Sequence, residues 1–434
     1  MAVPLAALAL LVTACGGGSG GGGGAGGSSS GSTSSATEGA KQAPVLAEAT
    51  DARGTVTLCA GKGTPADPRA ATRAFDERFG PRGLRLRLRE LPGTAEEQRA
   101  ALERLVRSRS GGCDVVAADV TWTAALAARG RLLDMSDYVN QRRDEFIDST
   151  LSTVRYDGRF WGVPQQADTA LLYQRTDKVP EPPESWRAVY EQAGTSGGIV
   201  YPGAAGEELT SAFLDVAYAA GGTVLSSDGL TPEIDSGRNA DALQLMVDGI
   251  RDGAAPQAVT TYGQEQARRA FATGAPAFLR DGPGAHAALQ RAPRVRDRFA
   301  VAPLPPFDGG GRGAGVLGGR ELVIPASSRN PTGAVFVINH LTSPDVVREQ
   351  AIRFSLAPVL RDSYDDRAVK RALPFAAELE QAVEQAKAPP VSPVYPQISR
   401  AISENVHAAM LGRLSPEDAL KRAGAQIERA LGRR

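Results

Sequence analysis

The chain has 434 residues, enough for two to four domains of ~100–200 residues each. With 42% hydrophobic and 23% charged residues, most of it is expected to fold around apolar cores. Its 49 Lys and Arg balance 49 Asp and Glu, which excludes a nucleic-acid binder held by a basic excess. Three cysteines exclude a disulfide scaffold, and three histidines with no Cys-x-x-Cys exclude a zinc ribbon or an H-E-x-x-H metalloprotease.

Residues 2–14, AVPLAALALLVTA, form an uncharged apolar run. A spanning helix needs ~20 such residues, so this run fits the core of an export signal instead. It ends Leu11-Val12-Thr13-Ala14-Cys15 and is followed by glycines, which resembles a bacterial lipobox. Residues 1–15 are therefore read as a lipoprotein signal with Cys15 as the acylated residue, although no Lys or Arg precedes the apolar run. A lipid on Cys15 would anchor the protein at the outer face of the cell membrane without spanning it. Residues 16–52 open with Gly, Ser, Ala and Thr, which cannot bury a core, and are read as a flexible tether.

The body begins near Arg53. Thr55 to Ala60 is a β-rich run ending at Gly61-Lys62-Gly63. Asp67-Pro68 supplies an N-cap and a proline for a helix with Ala71, Phe75 and Phe79 on one face, closed by Gly80. Leu84 to Leu88 alternates as a strand, and Thr94-Ala95-Glu96-Glu97 is a capping box for the next helix. Cys113 to Ala118 is a nearly continuous apolar strand of the kind buried in parallel sheets. The order β-α-β-α-β predicts an α/β fold with ligands beyond the carboxyl ends of the strands, at Gly61-Lys62 and Asp119 to Trp122. Strand ends aligned in this way separate Cys59 and Cys113 by ~10 Å or more, which argues against a bond that an export compartment would permit.

The succession GKG, ELPGTAEEQRAALERLV, CDVVAADVTWTAALAARGRLLDM, YDGRFWGVPQQADTALLYQRTD and PPESW resembles the extracellular solute-binding lipoproteins of bacterial ABC importers. More narrowly it resembles the carbohydrate-binding family 1 proteins of actinobacteria that take α-glucosides such as trehalose and maltose. The resemblance continues through DALQLMVD, ARRAFATGAPAF, VAPLP, FVINHLTSP, SYDDRAV and PVYPQIS, and so covers nearly all of the chain from Thr55. It implies a two-lobed periplasmic-binding-protein-like fold with hinge segments, here expected near 162–167, 275–281 and 318–323. The first lobe is then 53–163 plus 280–320 and the second 166–277 plus 323–434. It further implies a monomer that delivers a carbohydrate-like solute to membrane permease subunits, with no cofactor, no metal and no catalysis. A second reading is a lipoprotein of the same fold whose cleft is degenerate and whose surface serves as an interaction module.

Each ligand candidate has a plainer alternative. Asp119 can accept paired hydroxyl bonds or cap the following helix, and Trp122 can stack on a sugar ring or fill the core. Lys62 matches the family's Gly-Lys position or is a solvated lysine. Gln165, Gln166 and Asp168 lie on the first expected hinge, where amides both donate and accept. Glu207 and Glu208 stand near a family Tyr-Glu-Gly motif or simply favour a helix N-terminus. Arg280, Arg320 and Glu321 are candidates at positions where the chain departs from the family. Relatives have Arg-Asn-Trp-Pro-Tyr where this chain has Arg280-Asp281-Gly282-Pro283-Gly284, and Gly-Gly-Trp-Asn where it has Gly318-Gly319-Arg320-Glu321. Pro389-Pro390-Val391 replaces their Arg-Pro-Val. The missing aromatic faces predict weak binding of trehalose and maltose. No G-x-S-x-G and no Walker lysine followed by Ser or Thr is present, and the scattered carboxylates do not make a glycosidase pair.

Overall fold

The computed structural model describes residue 37 and residues 39–62, 66–107 and 112–432. The signal, Cys15 and the Gly/Ser run lie outside the described residues. Among the described residues no helix is long and apolar enough to cross a membrane.

The first half follows the β-α-β-α-β reading. Strand β1 (Gly54–Gly61) leads to helix α1 (Pro68–Phe79), whose cap is the Asp67 carboxylate accepting the Ala70 N–H at 3.1 Å. Phe75 and Phe79 face inward from α1, while the chain continues through one 3₁₀ turn and is closed by Gly83 at φ 83°, not by Gly80. Strand β2 (Leu84–Leu91) alternates in burial as its sequence alternates. Helix α2 (Ala95–Arg107) opens on one half of the expected capping box, the Glu97 N–H donating to Thr94 Oγ1, while the Glu97 carboxylate accepts the Thr94 hydroxyl. Strand β3 (Val115–Asp119) joins β1 in parallel, and helices α3 (Thr123–Ala127), α4 (Ser136–Arg142) and α5 (Asp148–Thr153) follow. A small hairpin, β4 (Arg155–Tyr156) and β5 (Arg159–Phe160), leads into β6 (Val163–Asp168).

The second half begins at β7 (Leu171–Arg175). Helix α6 (Trp186–Ser196), strand β8 (Ile199–Val200) and helices α7 (Glu207–Ala219), α8 (Gly237–Arg251) and α9 (Gln264–Ala272) come next. Strand β9 (Phe278–Asp281), helix α10 (Ala285–Leu289), strand β10 (Phe299–Pro303) and strand β11 (Gly318–Val323) follow. Six helices end the chain: α11 (Pro331–Leu341), α12 (Pro344–Phe354), α13 (Arg367–Ala372), α14 (Ala376–Gln385), α15 (Tyr395–Met410) and α16 (Pro416–Leu431). The strands form two main sheets, β2-β1-β3-β11-β6 and β10-β7-β9-β8.

This topology corrects the expected lobe boundaries. Strands β9 and β10 both pair with β7 in the second sheet, so residues 278–303 belong there and not to the first lobe. Strand β11 returns to the first sheet between β3 and β6. The helix that follows packs on the sheet just completed: Val335, Val337 and Ile338 of α11 join Val56, Leu58 and Phe75 in one buried cluster. Helices α15 and α16 instead cover the second sheet's side, with Ile402, Val406 and Ile427 packed beside Phe213 and Leu243. The expected hinges at 162–167, 275–281 and 318–323 fall largely on strands β6, β9 and β11. The chain passes between the sheets at 169–170 and within 304–317.

The expected tether also ends early. Residues 39–52 join the body, where the Ala43 N–H donates to the Asp134 carbonyl at 2.8 Å and Gln42 Nε2 to Asp134 Oδ2 at 2.9 Å. Ala43, Ala49 and Ala52 are buried. The Gly/Ser composition stops near Ala40, and the small apolar residues beyond it find a place on the first lobe.

Cys59 and Cys113 are joined in a disulfide, their Cα atoms 5.7 Å apart. Leu58 lies opposite Val115, so the carboxyl ends of the two strands are aligned as expected. The expectation failed because β3 starts only at Val115. The Asp114 N–H donates to the Thr57 carbonyl and its Oδ2 accepts the Thr57 N–H, both at 2.8 Å. The chain bends there and carries Cys113 back beside Cys59 instead of along β1. The bond closes a separation of 54 residues, worth about 4 kcal/mol by the chain-entropy model. The double variant Cys59→Ala/Cys113→Ala is expected to lose stability of that order in chemical denaturation, with reductant producing the same loss in the wild type only.

Candidate functional site

At one edge of the first sheet the ends of three strands meet. Asp119 closes β3, Asp168 closes β6, and Gly318 to Arg320 open β11 between them, with Asp119 opposite Arg320 and Gly318 opposite Asp168. Gly319 is required in this corner. Its φ is 127°, and a Cβ there would sit 2.2 Å from the Gln166 carbonyl oxygen. From the second lobe the N-termini of α7 and α15 and the end of β9 face the same place. Two adjoining cavities result, one of about 440 Å³ and one of about 220 Å³, which share Asp119, Thr121 and Glu207 as walls.

Asp119 both shapes a turn and faces the cleft. Its Oδ1 accepts the Thr121 N–H at 3.0 Å and the Thr121 hydroxyl at 2.7 Å. Trp122 touches the larger cavity but is 6% exposed and packs with Cys59, Leu91 and Trp161, so it is mainly core. Glu207 accepts from the Tyr395 hydroxyl on Oε1 and the Ser399 hydroxyl on Oε2, each at 2.5 Å. Burial raises its carboxyl above the ordinary value against these two bonds. Asp168 opens onto the smaller cavity with part of its surface still exposed, and desolvation by the protein around it pushes its carboxyl up to about 6. The Arg280 guanidinium opposes that rise and the neighbouring Asp281 adds to it.

Arg280 is held from behind. Its Nε donates to Asp215 Oδ2 at 2.7 Å, and Asp215 Oδ1 accepts the Val316 N–H at 2.7 Å. Asp215 lies on α7 with no exposure, and burial raises its carboxyl although Arg280 opposes the shift. Beside it, Asp281 is fully occupied, accepting from Arg268 Nε at 2.8 Å, Gln264 Nε2 at 2.6 Å and the Gly282 N–H at 2.7 Å.

Asp119, Trp122, Asp168, Glu207 and Arg280 thus come together, and five other candidates do not. Lys62 is exposed at the end of β1 and lines neither cavity. Gln165 and Gln166 are buried within β6. Arg320 and Glu321 sit on a central strand, where alternate residues enter opposite faces. Arg320 is half-buried outside both cavities. Glu321 has no exposure and accepts from the Thr123 and Thr153 hydroxyls. Burial raises its carboxyl well above the ordinary 4.5.

The structure adds residues that the sequence reading did not single out. Helix α2 brings Glu96 and Arg99 to the larger cavity, and α15 brings Tyr395, Ser399, Arg400 and Glu404. The segment PVYPQIS carried the available signal, since its Pro396 marks a helix start. Nothing in the local pattern says that this start meets the far end of β3.

Two outcomes follow from the buried charges. Asp215→Ala leaves Arg280 without its counter-charge and the Val316 N–H without its acceptor, and is expected to cost about 3–5 kcal/mol in chemical denaturation. For Glu321, the folded chain keeps its proton at a pH where the unfolded chain has lost it. Stability therefore falls as pH rises above 4.5, by up to about 1.4 kcal/mol per pH unit until the folded carboxyl ionises. Denaturation from pH 5 to 8 should show Glu321→Gln gaining on the wild type by that slope. A pH-independent difference would show that the buried carboxyl is not held protonated.

Known proteins share this architecture. The family model for bacterial extracellular solute-binding proteins matches residues 92–348. A probable ABC transporter-binding protein of Deinococcus radiodurans is 28% identical over 373 residues, 81% of this chain and 88% of the relative. The maltose-bound T. maritima MalE3 aligns at 30% identity with a TM-score of 0.75, covering 86% of this chain and 99% of its own. A solute-binding protein of Thermotoga lettingae, bound with α-D-tagatose, aligns at 25% identity with a TM-score of 0.73 over 87% of this chain and 100% of its own. The fold is the two-lobed one of these maltose-binding-like proteins, and family and fold are those of substrate-binding proteins, not of enzymes. The chain belongs to the bacterial extracellular solute-binding proteins.

Proposed function

We propose that this protein is the lipid-anchored, extracellular solute receptor of an ABC importer and that its solute is a carbohydrate. The observation that carries the reading is the polar double cavity at the carboxyl ends of β3 and β6, walled by both lobes. Asp119, Asp168 and Glu208 present acceptors to it, and the Arg280 guanidinium presents donors, which is the mixture that sugar hydroxyls require. Relatives bound with maltose and tagatose support the same class. The solute draws the two lobes together at the crossing segments, and a permease reads the closed form. Cys15 carries the lipid, and the Gly/Ser run keeps the body off the membrane.

The departures from the α-glucoside pattern lie partly in the cleft. Gly282 and Pro389 both line the smaller cavity, whereas Gly284 and Arg320 line neither. Losing one stacking face and one charged hydrogen bond costs about 2.5–4 kcal/mol, roughly a hundredfold to a thousandfold in affinity. For a receptor that would otherwise be micromolar, calorimetry with trehalose and maltose is expected to give a Kd of about 0.1 mM or weaker. A thermal-shift screen over a wider set of sugars and polyols tests the receptor reading itself. A ligand at a hundred times its Kd stabilises by about 2.7 kcal/mol, and a screen with no stabilising member would favour the interaction-module reading. For the anchor, Cys15→Ala is expected to move the protein from the membrane pellet to the soluble fraction with an unchanged melting temperature. Retention of the variant in the pellet would remove the lipid from the proposal.

A further inference from the structure

The smaller cavity has neutral donors at Thr121, Thr169, Ser211 and Gln264, but its charged walls are mostly acceptors. Its ionisable walls are Asp119, Asp168, Glu207 and Glu208 against Arg280. Arg280 is already neutralised at 2.7 Å by Asp215, which lies behind it with no exposure and does not reach the cavity. Glu207 has both oxygens occupied by the Tyr395 and Ser399 hydroxyls. The other three carboxylates keep acceptor capacity. Asp119 spends only Oδ1, on Thr121. Glu208 spends only Oε2, on the Gln264 N–H at 2.8 Å. Asp168 has the backbone N–H of Thr169 beside it and meets no donor side chain among the described residues.

Space is kept for the Asp168 carboxylate as well. A Cβ on Gly282 would come within 2.9 Å of Asp168 Oδ1, so a side chain there would displace it. Arg280 is itself a second sign of a ligand. It is nine-tenths buried, it lines this cavity, and its two terminal amino groups have no hydrogen-bond partner among the described residues. An occupant that satisfies these walls donates strongly toward Asp119, Asp168 and Glu208 and offers a lone pair to Arg280. A neutral polyol gives the lone pair but brings no charge against Asp168 and Glu208, whereas Asp119 already has Arg320 nearby. A carboxylated or phosphorylated sugar suits Arg280 but sets its anion among the same three groups.

We propose that the solute is an amine-bearing sugar or polyol whose ammonium group sits in the smaller cavity between Asp168, Asp119 and Glu208, with a hydroxyl on Arg280. This deepens the reading of the protein as a carbohydrate receptor and rests on it. An ammonium hydrogen-bonded to a carboxylate is a charge-assisted pair, stronger than a hydroxyl on the same oxygen. The preference also depends on the charge of Asp168. Its carboxyl, pushed up to about 6, is ionised at pH 7.5 and mostly protonated at pH 5. The charges that face Asp168 are Arg280, Asp281 and Arg268. Asp281 and Arg268 are paired with each other at 2.8 Å, and Glu207, the other wall with a raised carboxyl, is held by two hydroxyls, so the Asp168→Asn variant isolates the part of any pH dependence that belongs to Asp168.

The test is calorimetry on the full chain with two matched pairs, glucosamine against glucose and the glucosamine disaccharide against cellobiose, at pH 7.5 and pH 5. The expected result is at least tenfold tighter binding of the amine member of one pair at pH 7.5, with the ratio falling several-fold at pH 5. Asp168→Asn should bring the ratio near one at both pH values, and Glu208→Gln should lower it by a smaller factor. Thermal melts of both variants report whether they fold. If the neutral member binds as tightly as the amine or tighter, the amine proposal is overturned while the carbohydrate reading stands. The same holds if the amine preference is independent of pH and survives both substitutions. If no member of either pair binds and the wider sugar screen is also empty, the carbohydrate reading falls and takes this proposal with it.

Discussion

The carboxylate of Asp215 is the point on which the cleft is built. One oxygen holds Arg280 and the other holds the Val316 N–H, each at 2.7 Å. It therefore joins three parts that are far apart in the chain: helix α7, the end of β9, and the segment that carries the chain from the second sheet back to the first. A buried carboxylate is costly unless its lone pairs are used and its charge is balanced. Here both conditions are met, and the guanidinium that balances it is left pointing its terminal groups into the cavity. Buried polar networks of this kind do little for net stability and much for geometry. Without Asp215, Arg280 would have no fixed position, and the crossing segment beside Gly318 would lose its tie to the second lobe.

Local chemistry in the sequence was enough for the elements of the first lobe. The Asp67 cap, the capping box from Thr94 to Glu97 and the alternation in β2 each act within a few residues, and each has the expected partner. What local patterns do not contain is the return of the chain. Strand β11 could be placed beside β6 or beside β10 with equal local plausibility, and only its pairing with β3 decides it. Glycine and proline in β6 and β11 suggested hinges. In fact Gly319 serves a close backbone approach within a sheet, and Pro164 lies opposite Glu321 next to a bulge. The disulfide shows the same limit at smaller scale. Register alone put the two sulfurs too far apart, and the bend at Asp114 is fixed by contacts with Thr57 and with Ser328 to Asn330, residues remote in sequence.

The candidate site was legible where a residue stands at the end of an element. Asp119, Asp168, Glu207 and Arg280 all lie at or next to a strand end or a helix start, and all face the cavities. Gln165, Gln166 and Glu321 lie one or more residues inside a strand, Glu321 on β11 between two neighbours and the two glutamines on the edge strand β6, and all three are buried. Lys62 lies at a strand end but at the outer side of the sheet, beside β2. Tyr395 and Ser399 were invisible for a different reason. Their role depends on α15 starting opposite β3, a relation between segments more than 270 residues apart.

The cleft draws its groups from both sides of the crossing. Asp119 belongs to the first sheet, Asp168 ends the strand that leads to the first crossing, and Arg280 and Glu207 belong to the second lobe. A ligand that touches Asp119 and Arg280 together interacts differently with each arrangement of the lobes, and only such a difference can shift their populations. Desolvation by the surrounding protein raises the carboxyls of Asp168 and Glu207, although both side chains keep a face toward solvent. A ligand rich in donors restores what burial removes, most completely when both lobes are in contact with it. On the proposed reading, closure and recognition rest on the same few groups, because Asp119 and Arg280 reach one cavity from opposite lobes.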